Sequence, residues 1–152
     1  MKSKSVNRVV IAVRDLDKAV SLYSRLLDTV FHEEEDVALA ASYGIRASVS
    51  WDAGIEIVSP IPENNAAMGQ AVTQFIDNYG GGLYSVVFSV DNVDEAYARA
   101  TEMGIHVSGL FELDQEQIGR LLNDKFKKFK QYTLRASDTC GVQVVLGQIE
   151  PK

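Results

Sequence analysis

A chain of 152 residues, 46% hydrophobic and 24% charged, can bury one core or two small modules sharing a core, which excludes a disordered or collagen-like chain. Its 15 basic and 21 acidic residues leave a net charge of −6, without the basic footprint that wrapping nucleic acid needs. The single cysteine, Cys140, excludes an internal disulfide, and the apolar run from Val9 to Val13 is too short for a membrane span or a signal-peptide core, so a soluble cytoplasmic domain is expected.

The first expected element is a strand, Arg8-Val9-Val10-Ile11-Ala12-Val13, leading through Arg14 and Asp15 into a helix. Leu16, Ala19, Val20, Tyr23, Leu26 and Leu27 recur at helical spacing and define one apolar face. After His32 comes a charged turn, Glu33-Glu34-Glu35-Asp36. Strands over 43–50 and 54–60 then form a hairpin across Trp51-Asp52-Ala53-Gly54. Met68, Val72, Phe75, Ile76 and Tyr79 share a helical face, which makes 63–79 a connecting helix. Gly80-Gly81-Gly82 precedes a strand rather than a helix N-terminus, so it reads as a flexible joint and not as a phosphate loop.

The chain then repeats itself. At a constant offset of 77 residues, Val9, Val10, Val13, Asp17 and Ala19 meet the identical Val86, Val87, Val90, Asp94 and Ala96, and Leu16 meets Val93. The second helical face is Val93, Ala96, Tyr97, Ala100 and Met103. A strand over 106–111, a short extra helix over 115–124, and a hairpin of strands 132–136 and 142–147 complete the chain. Each half thus reads strand, helix, strand, strand, strand. The expected fold class is α+β, with βαβββ modules near 1–62 and 80–150 forming a cupped, mixed eight-stranded sheet with helices outside. The cup could close within one chain or by module exchange, and the hydrophobic edges of four-stranded half-sheets favour a homodimer.

A tandem βαβββ chain opening with this strand and the string Asp15-Leu16-Asp17-Lys18-Ala19 resembles the vicinal oxygen chelate superfamily, which includes glyoxalase I and the bleomycin resistance proteins. The branch it most resembles is that of methylmalonyl-CoA epimerase, on the strings Gly54-Ile55-Glu56-Ile57-Val58-Ser59-Pro60 and Gly81-Gly82-Leu83-Tyr84-Ser85-Val86-Val87-Phe88. The resemblance implies one divalent metal held by a His opening the first strand of each module and a Glu or Gln on the last strand of each. Those positions here are Arg8, Glu56, Ser85 and Val145. A guanidinium has no lone pair and repels a cation, and valine has no donor atom, so no metal and no other cofactor is expected. Were the register to slip, Gln143 on the same side as Val145 would add only one weak ligand.

Arg8 and Glu56 are opposite charges expected to face one another. They either form a buried ion pair in the vacated metal position, or act together, Arg8 on a substrate oxygen and Glu56 on a proton. The two readings compete in part, because a carboxylate held by a guanidinium is a weaker base. Ser85, Ser89, Tyr132, Gln143 and Val145 are the candidate ligand-contacting residues; for the serines the plainer reading is that small side chains make room, and for Tyr132 that it is a core aromatic. Trp51 reads as a partly exposed lid or interface residue, His32 and His106 as ordinary surface or strand-end histidines, and Cys140 as inert. The run Asp124-Lys125-Phe126-Lys127-Lys128-Phe129-Lys130 reads as a solvated edge strand, with attraction of an anionic ligand as the alternative. The leading expectation is a metal-independent isomerase, epimerase or lyase of a small carbonyl-containing metabolite, with Glu56 as base and Arg8 as stabiliser. The alternatives are a ligand-sequestering protein and a protein-interaction role on a decayed site. The expected partners are a small molecule, anionic ones included, and a second copy of the chain, with no nucleic acid and no membrane.

Overall fold

In a computed structural model describing residues 3–152, the first module opens with strand β1 (Ser3–Ala12). The carboxylate of Asp15 accepts a hydrogen bond from the Lys18 N–H at 3.0 Å and starts helix α1 (Leu16–Leu26), with Asp17 in its first turn and Arg25 in its last matching the helix dipole. Strand β2 (His32–Glu33), helix α2 (Val37–Tyr43), strands β3 (Ile45–Ser50) and β4 (Ile55–Pro60), and helix α3 (Ala67–Tyr79) follow. β4 returns parallel to β1, and β3 lies antiparallel between β4 and β2. Leu16 and Ala19 of α1 bury Ile57, flanked by Val13, Val20, Tyr23, Phe31 and Ile55; each buried aliphatic side chain of this kind contributes roughly 1.5–3 kcal/mol. Leu26 and Leu27, expected on the buried face, lie exposed at the end of the helix.

Helix α2 is an element the sequence reading did not contain. Asp36, expected in a turn, accepts from the Leu39 N–H at 3.0 Å and caps it, and Gly44 at φ 76° ends it in the left-handed region. Tyr43 is therefore the last helical residue rather than the first of a strand. Gly44 is also where α3 comes closest: a Cβ built on Gly69 of α3 would stand 2.3 Å from the Gly44 carbonyl oxygen.

The second module repeats the plan with β5 (Gly82–Val90), α4 (Val93–Glu102), β6 (Val107–Leu113), α5 (Gln115–Leu122), β7 (Phe126–Leu134) and β8 (Val144–Pro151). Asn92, at the offset of 77 from Asp15, caps α4 through the Asp94 and Glu95 N–H groups. Val93 and Ala96 pack on Val90, with Tyr132 and Leu146 beside them. α5 carries a capping box, Asp114 with Gln117. β8 runs parallel to β5 and antiparallel to β7, which in turn pairs antiparallel with β6. The fold is thus α+β, two tandem βαβββ modules, each with its four strands in a mixed sheet and its helix packed on one face. Residues 8–84, α3 included, form one compact unit, and residues 85–152 with the start of β1 form the other. No helix among the described residues is long and apolar enough to cross a membrane.

Candidate functional site

Within the first module the ladder registers decide which side chains share a face. Val10 stands opposite Glu56, and Ala12 opposite Val58, while Ile11 stands opposite Ile57, which α1 covers. Arg8, two residues before Val10, therefore shares the face opposite α1 with Glu56. There the Arg8 Nε donates to Glu56 Oε1 at 2.7 Å. Arg8 is buried and Glu56 half-buried. The expected buried ion pair is present.

Trp51, expected as a lid or interface residue, is a third member of this site. The Arg8 guanidinium carbon lies 5.3 Å from the centre of the Trp51 ring, a cation–π arrangement. The turn that presents Trp51 is held from below: the Ser50 hydroxyl, on the α1 side, accepts from the Ala53 N–H at 3.2 Å and shares a 2.7 Å hydrogen bond with Thr29. The Gly54 carbonyl accepts from the Val9 N–H at 2.9 Å, so β1 is tied to the same turn. The strand pairing, not the local sequence, makes this contact. Val9 opposite Ile55 places Arg8 beside the hairpin turn that carries the only tryptophan. His32, expected to be an ordinary surface histidine, extends the row further: it stands opposite Val49, which stands opposite Glu56.

The second module presents a different set. Val145 lies opposite Val87 as Glu56 lies opposite Val10, so Val145 is the register equivalent of Glu56 and Ser85 that of Arg8. Ser85, Val87 and Ser89 of β5 share with Val145 the face opposite α4, and Ser85 and Val145 are buried. Gln143 falls one residue before β8, where its carbonyl accepts from the Val86 N–H at 3.1 Å.

Tyr132 is not on that face. It stands opposite Leu146 on the α4 side, and its hydroxyl donates to Asp94 Oδ1 at 3.0 Å while its ring lies 4.7 Å from Tyr97. Lys130 Nζ donates to the same carboxylate oxygen at 2.8 Å. The Lys130 ammonium holds the Asp94 carboxyl below the usual carboxylate range, and Asp94 in turn raises Lys130. Burial, followed by the Asp94 carboxylate, raises Tyr132. The lysine run is not an edge strand either. Its strand, β7, lies between β6 and β8, and two of its lysines are met by neighbours: Lys130 by Asp94 and Glu112, Lys127 by Glu150.

The donors at the four positions do not fit a divalent metal. Glu56 is a ligand type, but it is committed to a cationic guanidinium, Ser85 offers a neutral hydroxyl, and Val145 offers nothing. Among the described residues no three His, Cys, Asp or Glu side chains cluster as a metal would require. What the arrangement does offer is an internal cation, a carboxylate and an aromatic wall in one half-buried place.

No curated protein matches the sequence. Among solved structures, methylmalonyl-CoA epimerase from Mycobacterium tuberculosis superposes with a TM-score of 0.70 at 22% identity, over 99% of this chain and 89% of that one. A Streptomyces coelicolor methylmalonyl-CoA epimerase variant in complex with 2-nitronate-propionyl-CoA gives 0.69 at 20%, over 97% and 98%. A hypothetical protein from Bacillus halodurans gives 0.70 at 16%, over 99% and 98%. At these identities the likeness is one of fold. The family model of the Glyoxalase/Bleomycin resistance protein/Dioxygenase superfamily matches residues 5–120, about three-quarters of the chain, and the protein belongs to that superfamily.

Proposed function

We propose that this protein is a metal-independent enzyme of small carbonyl-containing metabolites, an isomerase, epimerase or lyase, in which Glu56 moves the proton on the carbon beside the carbonyl. Arg8 stabilises the negative charge that develops on the carbonyl oxygen, as fixed donors do in sites shielded from water. The observation that carries this reading is the buried Arg8–Glu56 pair against Trp51, at the positions where the superfamily resemblance implies metal ligands. A bound ligand whose oxygen competes for Arg8 loosens its hold on Glu56 and frees the carboxylate as a base. The methylmalonyl-CoA bound in one structurally similar epimerase supplies a probe of the right class, a thioester with an acidic hydrogen beside its carbonyl.

The test is deuterium wash-in from D2O, in excess EDTA, at the carbon beside the carbonyl of methylmalonyl-CoA and of pyruvate. Exchange well above the uncatalysed rate supports an enzyme. Tight binding of either compound without exchange assigns the protein to sequestration instead. We further propose a homodimer in solution, supported by the exposed Leu22 and Leu26 of α1 and Leu27 just past its end. A monomeric mass in light scattering rejects it.

A further inference from the structure

We propose that His32 is the second proton-carrying group of the Glu56 site, acting on a carbonyl compound seated over Val49; the proposal rests on the reading of Glu56 given above. The registers of three adjacent strands make one row across the sheet, His32 opposite Val49 and Val49 opposite Glu56. Residues opposite one another in an antiparallel ladder point to the same face. The imidazole and the carboxylate therefore stand on one side of the sheet with a single apolar side chain between them. Strand spacing of about 4.8 Å puts their Cα atoms about 10 Å apart, room for a short ligand with one side chain reaching in from each end. His32 is exposed and Val49 half-buried, so the row can be reached from solvent.

The neighbours of His32 narrow what it can do there. Glu33 points to the other face, where its carboxylate accepts from Arg46 Nε at 2.7 Å. The Glu34 carboxylate turns back to accept from the Asp36 N–H at 2.6 Å. With these acidic groups and Glu35 beside it, His32 is a poor site for a second anionic group of a ligand. Its imidazole instead offers a ring nitrogen that can give or take a proton. In the step proposed, Glu56 takes the proton from the carbon beside the carbonyl, and the C–H electron pair moves onto the carbonyl oxygen as an enolate beside Arg8. The His32 imidazolium then gives a proton to that carbon from the far side of the ligand. Glu56 and His32 exchange protons with water to reset, so no oxidant, reductant or metal is consumed.

The test separates inversion from exchange, using methylmalonyl-CoA in D2O with EDTA. His32→Gln keeps hydrogen bonding but removes proton carriage. Inversion at the chiral carbon is expected to fall roughly 10²-fold, while deuterium exchange from the Glu56 side persists and the unfolding midpoint is unchanged. His32→Ala should lose inversion equally and regain it when free imidazole is added. Undiminished inversion in His32→Gln, alongside loss of all exchange in Glu56→Gln, overturns the role of His32 and leaves that of Glu56 standing. Absence of both exchange and inversion in the unsubstituted protein overturns the two together.

Discussion

The Arg8 guanidinium and the Glu56 carboxylate neutralise each other out of water: Nε and Oε1 are 2.7 Å apart, and only 5% and 15% of the two side chains are exposed. Removing one partner from such a pair leaves the other charge buried, at a cost of roughly 3–5 kcal/mol. Glu56→Leu should therefore lower the melting temperature by about 10 °C. The double variant Arg8→Met with Glu56→Leu should recover much of that loss. Equal stability of Glu56→Leu and the unsubstituted protein in urea titration would show that the pair is not a structural unit.

The same pair governs the response to metals. EDTA should leave the thermal transition where it is, and added zinc, nickel or manganese should not raise it. An ion bound at a hundred times its dissociation constant would stabilise the fold by about 2.7 kcal/mol, a shift easily seen by calorimetry. One tightly held metal per chain in elemental analysis would contradict the assignment of Arg8, Ser85 and Val145 as non-ligands.

On the α4 side of the second module, the Asp94–Lys130 pair sets a pH window. Lys130 lowers the Asp94 carboxyl, so this group's contribution is present above the ordinary carboxylate range and is lost as pH falls through the folded value. Asp94 raises Lys130, so that contribution is present below the ordinary lysine range and is lost as pH rises through the folded value. The pair should thus add stability between about pH 4 and about pH 10, by no more than about 1 kcal/mol because Asp94 is largely exposed. Unfolding free energies of Lys130→Met and the unsubstituted protein should converge at both ends of that range and differ between them.

Packing in the first module is tested at Gly69. A methyl group there would meet the Gly44 carbonyl oxygen at 2.3 Å, backbone against side chain with no flexible atom to yield. Gly69→Ala should destabilise by about 1–3 kcal/mol despite the better helix propensity of alanine. A gain in stability would mean that α3 can slide away from Gly44 without loss.

What the sequence made legible was whatever the duplication repeats. The offset of 77 aligned Asp15 with Asn92, and both cap helices; it aligned Val10 with Val87, whose partners are Glu56 and Val145. The misses lie where partners are distant in sequence or the signal is local to one copy. Helix α2 exists in the first module alone, hidden behind a run of acidic residues that looked like a turn. The run from Lys125 to Lys130 resembled an exposed edge because the groups that answer Lys127 and Lys130, namely Glu150, Asp94 and Glu112, sit on three other elements. Tyr132 falls with Leu146 on the α4 side, where it meets Asp94, 38 residues away, and Trp51 is joined to Arg8 only once β1 pairs beside the β3–β4 turn.

Proton carriage by Glu56 without a metal is the step on which the proposed function stands. The most direct measurement is the rate of deuterium wash-in at the carbon beside the carbonyl of methylmalonyl-CoA or pyruvate, in excess EDTA, for the unsubstituted protein and Glu56→Gln. The substitution keeps shape and hydrogen bonding but removes basicity, so the rate should fall roughly 10²–10⁴-fold with ligand affinity little changed. An unchanged rate in Glu56→Gln, or exchange that EDTA abolishes and a divalent metal restores, would contradict it.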